Sequence, residues 1–231
     1  MFEDPNNYDA VNSMRDFGEK EIQQLGHRFT LLEGNQALPT DFPGLLAAMP
    51  EADLLIVFVR RATLPKAQVD AIRAHLAAGK PLLGIRTANH GFVPSRPDSI
   101  KDTGLVAWPE FTPEVLGGQN TGYETKGMPY AVGLHPDAPE NSPLLAGVQS
   151  ARIVGYQSLY KVLPLAKDTT LLLLGTATGQ LPAQPIAWTR RHGEKRARVF
   201  YTSLGAPRDM KQPDVRRLLV NAVNWTLEED D

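Results

Sequence analysis

Residues 53–85 place two short apolar segments on either side of an amphipathic one, and this arrangement constrains the fold more than any other feature of the chain. The segment DLLIVFV at 53–59 is a continuous apolar run, typical of a strand buried on both faces of a parallel sheet. In the following LPKAQVDAIRAHLAAGK, Pro65 suits a first helical turn and Gly79 suits the stop, and apolar residues recur at helical spacing between them. A second buried segment, PLLGI, follows. The pattern predicts a β–α–β unit with parallel strands and a right-handed crossover.

The rest of the chain predicts further strands and helices of one α/β domain spanning residues 1–231. Upstream, a helix ending at Gly26 is followed by FTLLEG, which is typical of a strand. From residue 150 the predicted strands are ARIVGY, SLYKV, TTLLLLGT, PIAWTR and ARVFYTSLG, the last two forming a hairpin around His192–Lys195. A helix starting at Pro213 closes the chain, with an apolar stripe that continues to Trp225 or Thr226. We expect a mostly parallel central sheet with an antiparallel extension.

The start of the chain does not fit a doubly wound domain, which normally opens on a buried strand. Here the chain opens on MFEDPNN, which is polar after two residues. Two explanations are open: the sheet begins at FTLLEG, or a first strand precedes the sequence as it is written. The polar opening favours the second explanation.

Composition excludes several classes of protein. A net charge of −2 gives no electrostatic reason to expect nucleic-acid binding. No run of about 18 apolar residues occurs, which argues against a membrane span. The opening residues lack the basic and apolar regions of a secretory signal, which favours a soluble cytoplasmic protein as the chain is written, although a lost segment upstream leaves export open. With no cysteine in the chain, disulfides and a cysteine nucleophile are excluded.

Ligands of open α/β sheets bind outside the carboxyl ends of the strands, so the residues that follow each strand are the candidates for a site. Arg60 and Arg61 follow the first predicted strand, and Arg86 begins the turn RTANH after PLLGI. In some α/β enzymes such a strand–turn–helix elbow carries a nucleophile, but arginine is not one. Arginines beside helix N-termini predict a site for a polyhydroxylated or anionic ligand. The predicted substrate-binding residues are Arg60, Arg61, Arg86, Asn89, Ser203 and Gly205, with His90 as the acid/base candidate.

Other catalytic motifs are missing. The sequence has no local metal-binding spacing, no G-x-S-x-G elbow, no G-x-G-x-x-G and no P-loop. We therefore predict no cofactor and no metal, while a metal site assembled from distant residues stays open.

Four blocks of the sequence resemble the ThuA-like (trehalose utilisation) family. They are ADLLIVFVRRATLPKAQVDAIRAHLAAGKPLLGIRTANHGF, WPEFTPEVLGG, SLYKVLPL and RVFYTSLGAPRDMKQPDVRRLLVNAVNW. The resemblance implies a flavodoxin-like sandwich similar to the class I glutamine amidotransferases, whose elbow cysteine falls where this chain has Arg86. It also implies that residues 3–8 form a loop after a first strand, so that Glu3, Asp4 and Tyr8 face the site. Glu3 and Asp4 would then join His90 as catalytic candidates.

The chain departs from the family pattern in two places. Many relatives carry a histidine shortly after the Gly-Gly pair, where this chain has GGQNTGYET, and another after YTSLG, where it has Ala206. If those histidines bind metal or move protons in relatives, this chain lacks them.

Three functions stay open. The first is a carbohydrate-active protein of trehalose, disaccharide or keto-sugar utilisation, without amidotransferase activity. The second is a non-catalytic sugar-binding module with the same pocket, and the third is an interaction subunit. The expected partner is a small-molecule sugar, and homo-oligomer formation is open.

Overall fold

The computed structural model describes residues 7–34, 41–96, 100–178 and 182–228. Its helices are α1 (Ala10–Phe17), α2 (Leu45–Ala48), α3 (Lys66–Ala77) and α4 (Pro213–Leu227). Its strands are β1 (Leu55–Val57), β2 (Leu64–Pro65), β3 (Leu82–Ile85), β4 (Leu105–Val106), β5 (Gly122–Thr125), β6 (Tyr130–Leu134), β7 (Val154–Gly155), β8 (Leu159–Lys161), β9 (Thr170–Thr176), β10 (Gln184–His192) and β11 (Ala197–Thr202). No helix in these ranges is long and apolar enough to cross a membrane.

The central sheet is parallel at one end and antiparallel at the other, as predicted. Within the described residues it has seven strands in the order β1-β3-β11-β10-β9-β6-β7. Strand β3 pairs in parallel with β1 on one side and with β11 on the other. From β11 onward every neighbouring pair is antiparallel, beginning with the predicted β10–β11 hairpin. The parallel arrangement brings the carboxyl ends of β1, β3 and β11 to one edge of the sheet.

The predicted β–α–β unit is confirmed. Helix α3 starts directly after Pro65 and its chain reverses at Gly79, whose φ of 84° is the left-handed conformation that glycine adopts readily. Its apolar side chains, including Val69, Ile72 and Leu76, are buried in the core. The unit therefore places β3 between the parallel strands β1 and β11, with the turn that begins at Arg86 directly after it.

Helix α4 packs against β3 and β11 through the stripe that the sequence predicts. Val215, Leu218, Leu219 and Ala222 are buried, and Thr226 continues the buried face while Trp225 is only half-buried. At the N-terminal end, Arg216 binds Asp16 and Glu21, at 2.8 Å each. These ion pairs join α4 to α1 and to the π-helical turn Gly18–Ile22 that follows it.

The FTLLEG prediction is wrong, because residues 29–34 are not a strand of the sheet. A strand needs a partner for its backbone, and no backbone hydrogen bond joins this segment to another described residue. The sheet therefore does not begin at FTLLEG, and its edge is β1. A strand upstream of residue 1 stays a prediction.

A cleft of about 930 Å³ lies between the segment at 28–32 and the edge strand β1. Its lining is largely apolar and includes Phe29, Leu31, Ile56 and Phe58. The N–H of Leu55 donates to O of Pro81, the residue just before β3, at 3.2 Å. In a parallel ladder the backbone of the next residue, Ile56, therefore points the opposite way, toward the cleft. The backbone of β1 thus has one side paired and one side facing the cleft.

We expect the amide of Ile56 to exchange with solvent deuterium faster than the amides of Leu55 and Val57. The reason is that the Leu55 and Val57 amides point to β3, whereas the Ile56 amide faces the cleft. Residue-resolved hydrogen exchange measures this directly. Equal protection at all three residues would contradict the one-sided pairing of β1.

Candidate functional site

Arg86 occupies a strained elbow at the end of β3. The preceding Ile85 is extended, with φ −115° and ψ 128°, and Arg86 turns to a φ of 44° before the 3₁₀ turn Arg86–His90. A positive φ is unusual for a residue other than glycine and costs on the order of 1–3 kcal/mol, so it persists only where its surroundings fix it. One such contact is the hydroxyl of Tyr201, which donates to Arg86 O at 2.7 Å. The elbow geometry of nucleophile-bearing folds is therefore present here with an arginine at its tip.

The Arg86 side chain is fully buried in an aromatic cage. Its Cζ lies 4.1 Å from the ring centre of Tyr8 and 4.9 Å from that of Tyr160, distances at which a cation is attracted to an aromatic face. One nitrogen, Nη1, donates to Ser203 O at 2.7 Å. The other two, Nε and Nη2, are buried and have no hydrogen-bond partner. The guanidinium is thus held in place while two of its nitrogens stay available.

Three further polar groups around the elbow are buried and make no hydrogen bond of ordinary geometry: the amide nitrogen Nδ2 of Asn89 and the hydroxyls of Ser203 and Tyr130. The Tyr130 hydroxyl lies near Ser203 and Arg86, and the Asn89 side chain lies near Tyr201. Burial raises the pKa of Tyr130 to about 12, against the opposing charge of Arg86, so this phenol stays protonated at neutral pH. All three groups can therefore donate hydrogen bonds at neutral pH. Buried groups of this kind are normally satisfied, and those that are not call for an explanation such as a ligand.

His90, the predicted acid/base residue, is a neutral imidazole in this environment. Its Nδ1–H donates to Asn89 Oδ1 at 2.7 Å, and its ring meets the Tyr160 ring edge-on, with centres 6.0 Å apart. Burial lowers the pKa of His90 to about 3, helped by the positive charges of Arg61, Arg60 and Arg86. A group with so low a pKa is a weak proton acceptor at neutral pH. Its Nε2 is left as a hydrogen-bond acceptor.

Arg60 and Arg61 lie at the rim rather than in the cage. Arg61 is exposed, with a φ of 52°, and its N–H donates to His90 O at 3.2 Å. Its guanidinium reaches Pro94 O at 3.4 Å. Arg60 is half-buried, and both arginines affect the site through the pKa of His90. The structure therefore brings the three predicted arginines to one edge, but only Arg86 into the buried cluster.

The segment that carries Tyr8 is attached to the elbow by Asn7. Thr87 Oγ1 donates to Asn7 Oδ1 at 2.8 Å, and Asn7 Nδ2 donates to Phe58 O at 3.3 Å. Tyr8 and Asp9 both have positive φ, of 59° and 50°. Tyr8 is thereby held over Arg86 as the resemblance implies. Glu3 and Asp4, the other two residues expected there, lie outside the described residues.

The end of β11 is fixed by Asp209. Its Oδ2 accepts hydrogen bonds from the backbone of Gly205 at 3.0 Å and Ala206 at 2.9 Å, and its Oδ1 accepts one from Tyr156 at 2.8 Å. Burial raises the pKa of Asp209, although these backbone bonds oppose the shift. At Gly205, φ is 143°, and an added Cβ would lie 2.7 Å from Ile85 Cγ2. Gly205 therefore serves close packing against the elbow, whereas Ser203 presents both its carbonyl and its hydroxyl to the site.

Sequence reasoning missed Tyr130, Tyr160, Tyr201 and Asp209. Tyr201 lies one residue before the end of β11, and the strand-end rule that selects Ser203 two residues on could have found it. Tyr130 and Tyr160 come from distant segments with no local signal. Among the described residues, no group of three or more His, Cys, Asp or Glu side chains could hold a metal ion.

Comparison with known proteins gives a family and a fold. The family model for trehalose utilisation, ThuA, matches residues 22–226. A ThuA-like protein from Bacteroides uniformis is 19% identical, with a TM-score of 0.66, and the match covers 99% of this chain and 90% of that one. One from Parabacteroides merdae is 15% identical, with a TM-score of 0.64 and coverages of 98% and 88%. No curated protein sequence matches.

We expect the free energy of unfolding to fall as pH drops from about 6.5 to about 3, with His90 responsible for part of the slope. In this window the unfolded state binds a proton at His90 and the folded state, with its pKa lowered to about 3, does not. A single such group contributes up to roughly 1.4 kcal/mol per pH unit. Denaturant unfolding at several pH values should show a smaller slope in His90→Gln than in wild type. His27→Gln, after α1, is the control, and parallel curves for wild type and His90→Gln would contradict the assignment.

Substituting Gly205→Ala should lower the free energy of unfolding by roughly 1–3 kcal/mol, since it adds backbone strain and a clash with Ile85. The matched control is Gly133→Ala, because an added Cβ there meets no heavy atom within 4 Å. Chemical denaturation of the two variants compares the costs. An equal cost in both would show that the approach of β11 to the elbow is looser than described.

Proposed function

Because the chain belongs to the trehalose utilisation (ThuA) family, we propose that it acts in carbohydrate utilisation by binding a sugar at the carboxyl edge of β3 and β11. The predicted residues Arg60, Arg61, Arg86, Asn89, Tyr8 and Ser203 border this site, and Gly205 shapes it. Family membership supports the carbohydrate role, and the position and contents of the site are our proposal.

The observation that carries this proposal is the group of unsatisfied donors around Arg86. Two guanidinium nitrogens, the Asn89 amide and the hydroxyls of Ser203 and Tyr130 are buried with no partner. A sugar presents several hydroxyl oxygens that can accept such hydrogen bonds. The rings of Tyr8 and Tyr160 add apolar faces of the kind that line small-molecule sites. A polyhydroxylated ligand therefore matches both parts of the cluster.

The proposed function excludes amidotransferase chemistry. That reaction needs a thiolate nucleophile at the elbow, and the chain has no cysteine. Arg86 fills the position and its side chain is committed to the cage. The elbow therefore orients a cation rather than a nucleophile.

The second candidate function is binding without turnover, and the state of His90 favours it. A general base works best with a pKa near the operating pH, whereas that of His90 is lowered to about 3. An enzyme using this site would need its proton acceptor elsewhere or a shift of this pKa on ligand binding.

We expect trehalose, another disaccharide or a keto-sugar to raise the melting temperature of the wild-type protein. A ligand at about 100 times its dissociation constant adds roughly 2.7 kcal/mol of stability. The shift should vanish in Arg86→Gln and persist in Arg190→Gln. Arg190 is a suitable control, because it binds Asp168 at 3.1 Å and Glu114 O at 2.7 Å, outside the Arg86 cluster.

A shift that survives in Arg86→Gln would place sugar binding elsewhere, and no shift with any sugar would contradict the proposed function. Mass spectrometry of the bound sugar after long incubation separates the two candidates. A converted sugar, with conversion lost in His90→Gln, would establish an enzyme, whereas an unchanged sugar would establish a binding protein.

A further inference from the structure

The charge of Arg86 has no carboxylate partner among the described residues, in contrast to other partly buried arginines of this protein. Arg190 pairs with Asp168, and Arg216 pairs with Asp16 and Glu21. Arg86, the most deeply buried of the three, is surrounded by a carbonyl oxygen, two tyrosine rings and the neutral Tyr130 hydroxyl. Asp209 does not neutralise it by direct contact, because both of its oxygens accept backbone N–H groups. Among the described residues, the cluster therefore carries one buried positive charge with no carboxylate in contact with it.

The unused part of the guanidinium has the geometry of a carboxylate receptor. Nη1 donates a hydrogen bond to Ser203 O, whereas Nε and Nη2 make no hydrogen bond of ordinary geometry. These two nitrogens form one edge of the planar group, and their N–H bonds on that edge are parallel. A carboxylate accepts such a pair in bidentate fashion, and this arrangement is among the strongest hydrogen-bonding contacts in proteins.

Three neutral hydrogen-bond donors beside Arg86 could bind the hydroxyl groups of a sugar. The Asn89 amide and the hydroxyls of Ser203 and Tyr130 are uncharged and make no hydrogen bond of ordinary geometry, although the Tyr130 hydroxyl lies near Ser203 and Arg86. If the carboxylate of a ligand binds Arg86, the Asn89, Ser203 and Tyr130 groups can still donate hydrogen bonds to the hydroxyl oxygens of the same ligand. A neutral sugar could use the same donors but would leave the buried charge uncompensated, which is costly in an apolar environment.

Of the two rings of the cage, that of Tyr8 is the less buried. Tyr160 is buried, whereas Tyr8 is half-buried and belongs to a segment whose residues 8 and 9 both have positive φ. A ligand that enters on this side would have to displace the Tyr8 ring from its place 4.1 Å over Arg86.

We propose that the ligand of this site is a sugar acid, a uronate or aldonate, whose carboxylate binds Nε and Nη2 of Arg86. This inference rests on the proposed function, because it names the class of sugar that the same site takes. A sugar phosphate suits the cluster less well, because a dianion gains most from several cations and Arg86 is the one arginine within the buried cage among the described residues, Arg60 and Arg61 lying at the rim.

The test is calorimetric titration of the full chain at fixed ionic strength with glucuronate, gluconate, glucuronamide, glucose, trehalose, acetate and inorganic phosphate. We expect glucuronate or gluconate to bind at least roughly tenfold more tightly than glucuronamide and glucose, since loss of the charge removes the bidentate ion pair. Glucuronamide has nearly the same shape as glucuronate without its charge, so this comparison needs no variant. In Arg86→Lys, which keeps the charge but lacks the planar edge, glucuronate affinity should fall by about tenfold or more, whereas Arg190→Lys should bind as wild type.

Each other outcome overturns the inference in a distinguishable way. Equal affinity for glucuronate and glucuronamide, or tighter binding of trehalose, would reject the sugar acid and leave the proposed sugar site standing. Binding of acetate or phosphate as tight as that of glucuronate would show a general anion site. Wild-type affinity for glucuronate in Arg86→Lys would reject the bidentate contact. No binding of any sugar would reject both the inference and the proposed function.

Discussion

The burial of the Arg86 guanidinium at the end of β3 is the constraint on which the rest of the site depends. A cation removed from water without a carboxylate partner costs several kcal/mol, so its surroundings must offset that cost. The structure offsets it with the faces of Tyr8 and Tyr160 and with the carbonyl of Ser203. The same charge helps to keep His90 neutral. Arg86 therefore determines which groups assemble at the elbow, and its charge adds to the burial and to the charges of Arg61 and Arg60 that lower the pKa of His90.

The order of strands in the sheet brings the residues of this site together. Because β3 and β11 are parallel neighbours, Ile85 lies beside Thr202, and the residues that follow them meet at the same edge. Gly205 permits the close approach, Asp209 fixes the turn after β11, and Tyr201 holds the elbow backbone. These contacts belong to the core and leave the elbow little freedom to relax. Tyr8 belongs to a different segment, which the hydrogen bond between Asn7 and Thr87 joins to the elbow.

The sequence predicted those features that local patterns determine. Apolar periodicity located α3, α4 and the β10–β11 hairpin, and the strand-end rule selected Arg86 and Ser203 because parallel strands bring their carboxyl ends together. FTLLEG failed because an apolar run becomes a strand only if a neighbour accepts its backbone hydrogen bonds, and that depends on the whole sheet. Tyr130 and Tyr160 were missed because they reach Arg86 through the antiparallel half of the fold, from segments with no catalytic pattern. For Arg60 and Arg61 the rule gave the edge correctly but not the direction of the side chains.

An elbow that presents a cation instead of a nucleophile changes what the fold can do with a ligand. A nucleophile elbow concentrates an attacking atom, and the surrounding backbone then stabilises the charge that the attack creates. Here the charge-stabilising element occupies the elbow itself, and the adjacent imidazole is too weak a base to generate an attacking group at neutral pH. On the proposed function, the site would recognise or stabilise negative charge on a polar ligand. Turnover of a sugar there would have to develop that charge next to Arg86, with a proton acceptor supplied from outside the cage.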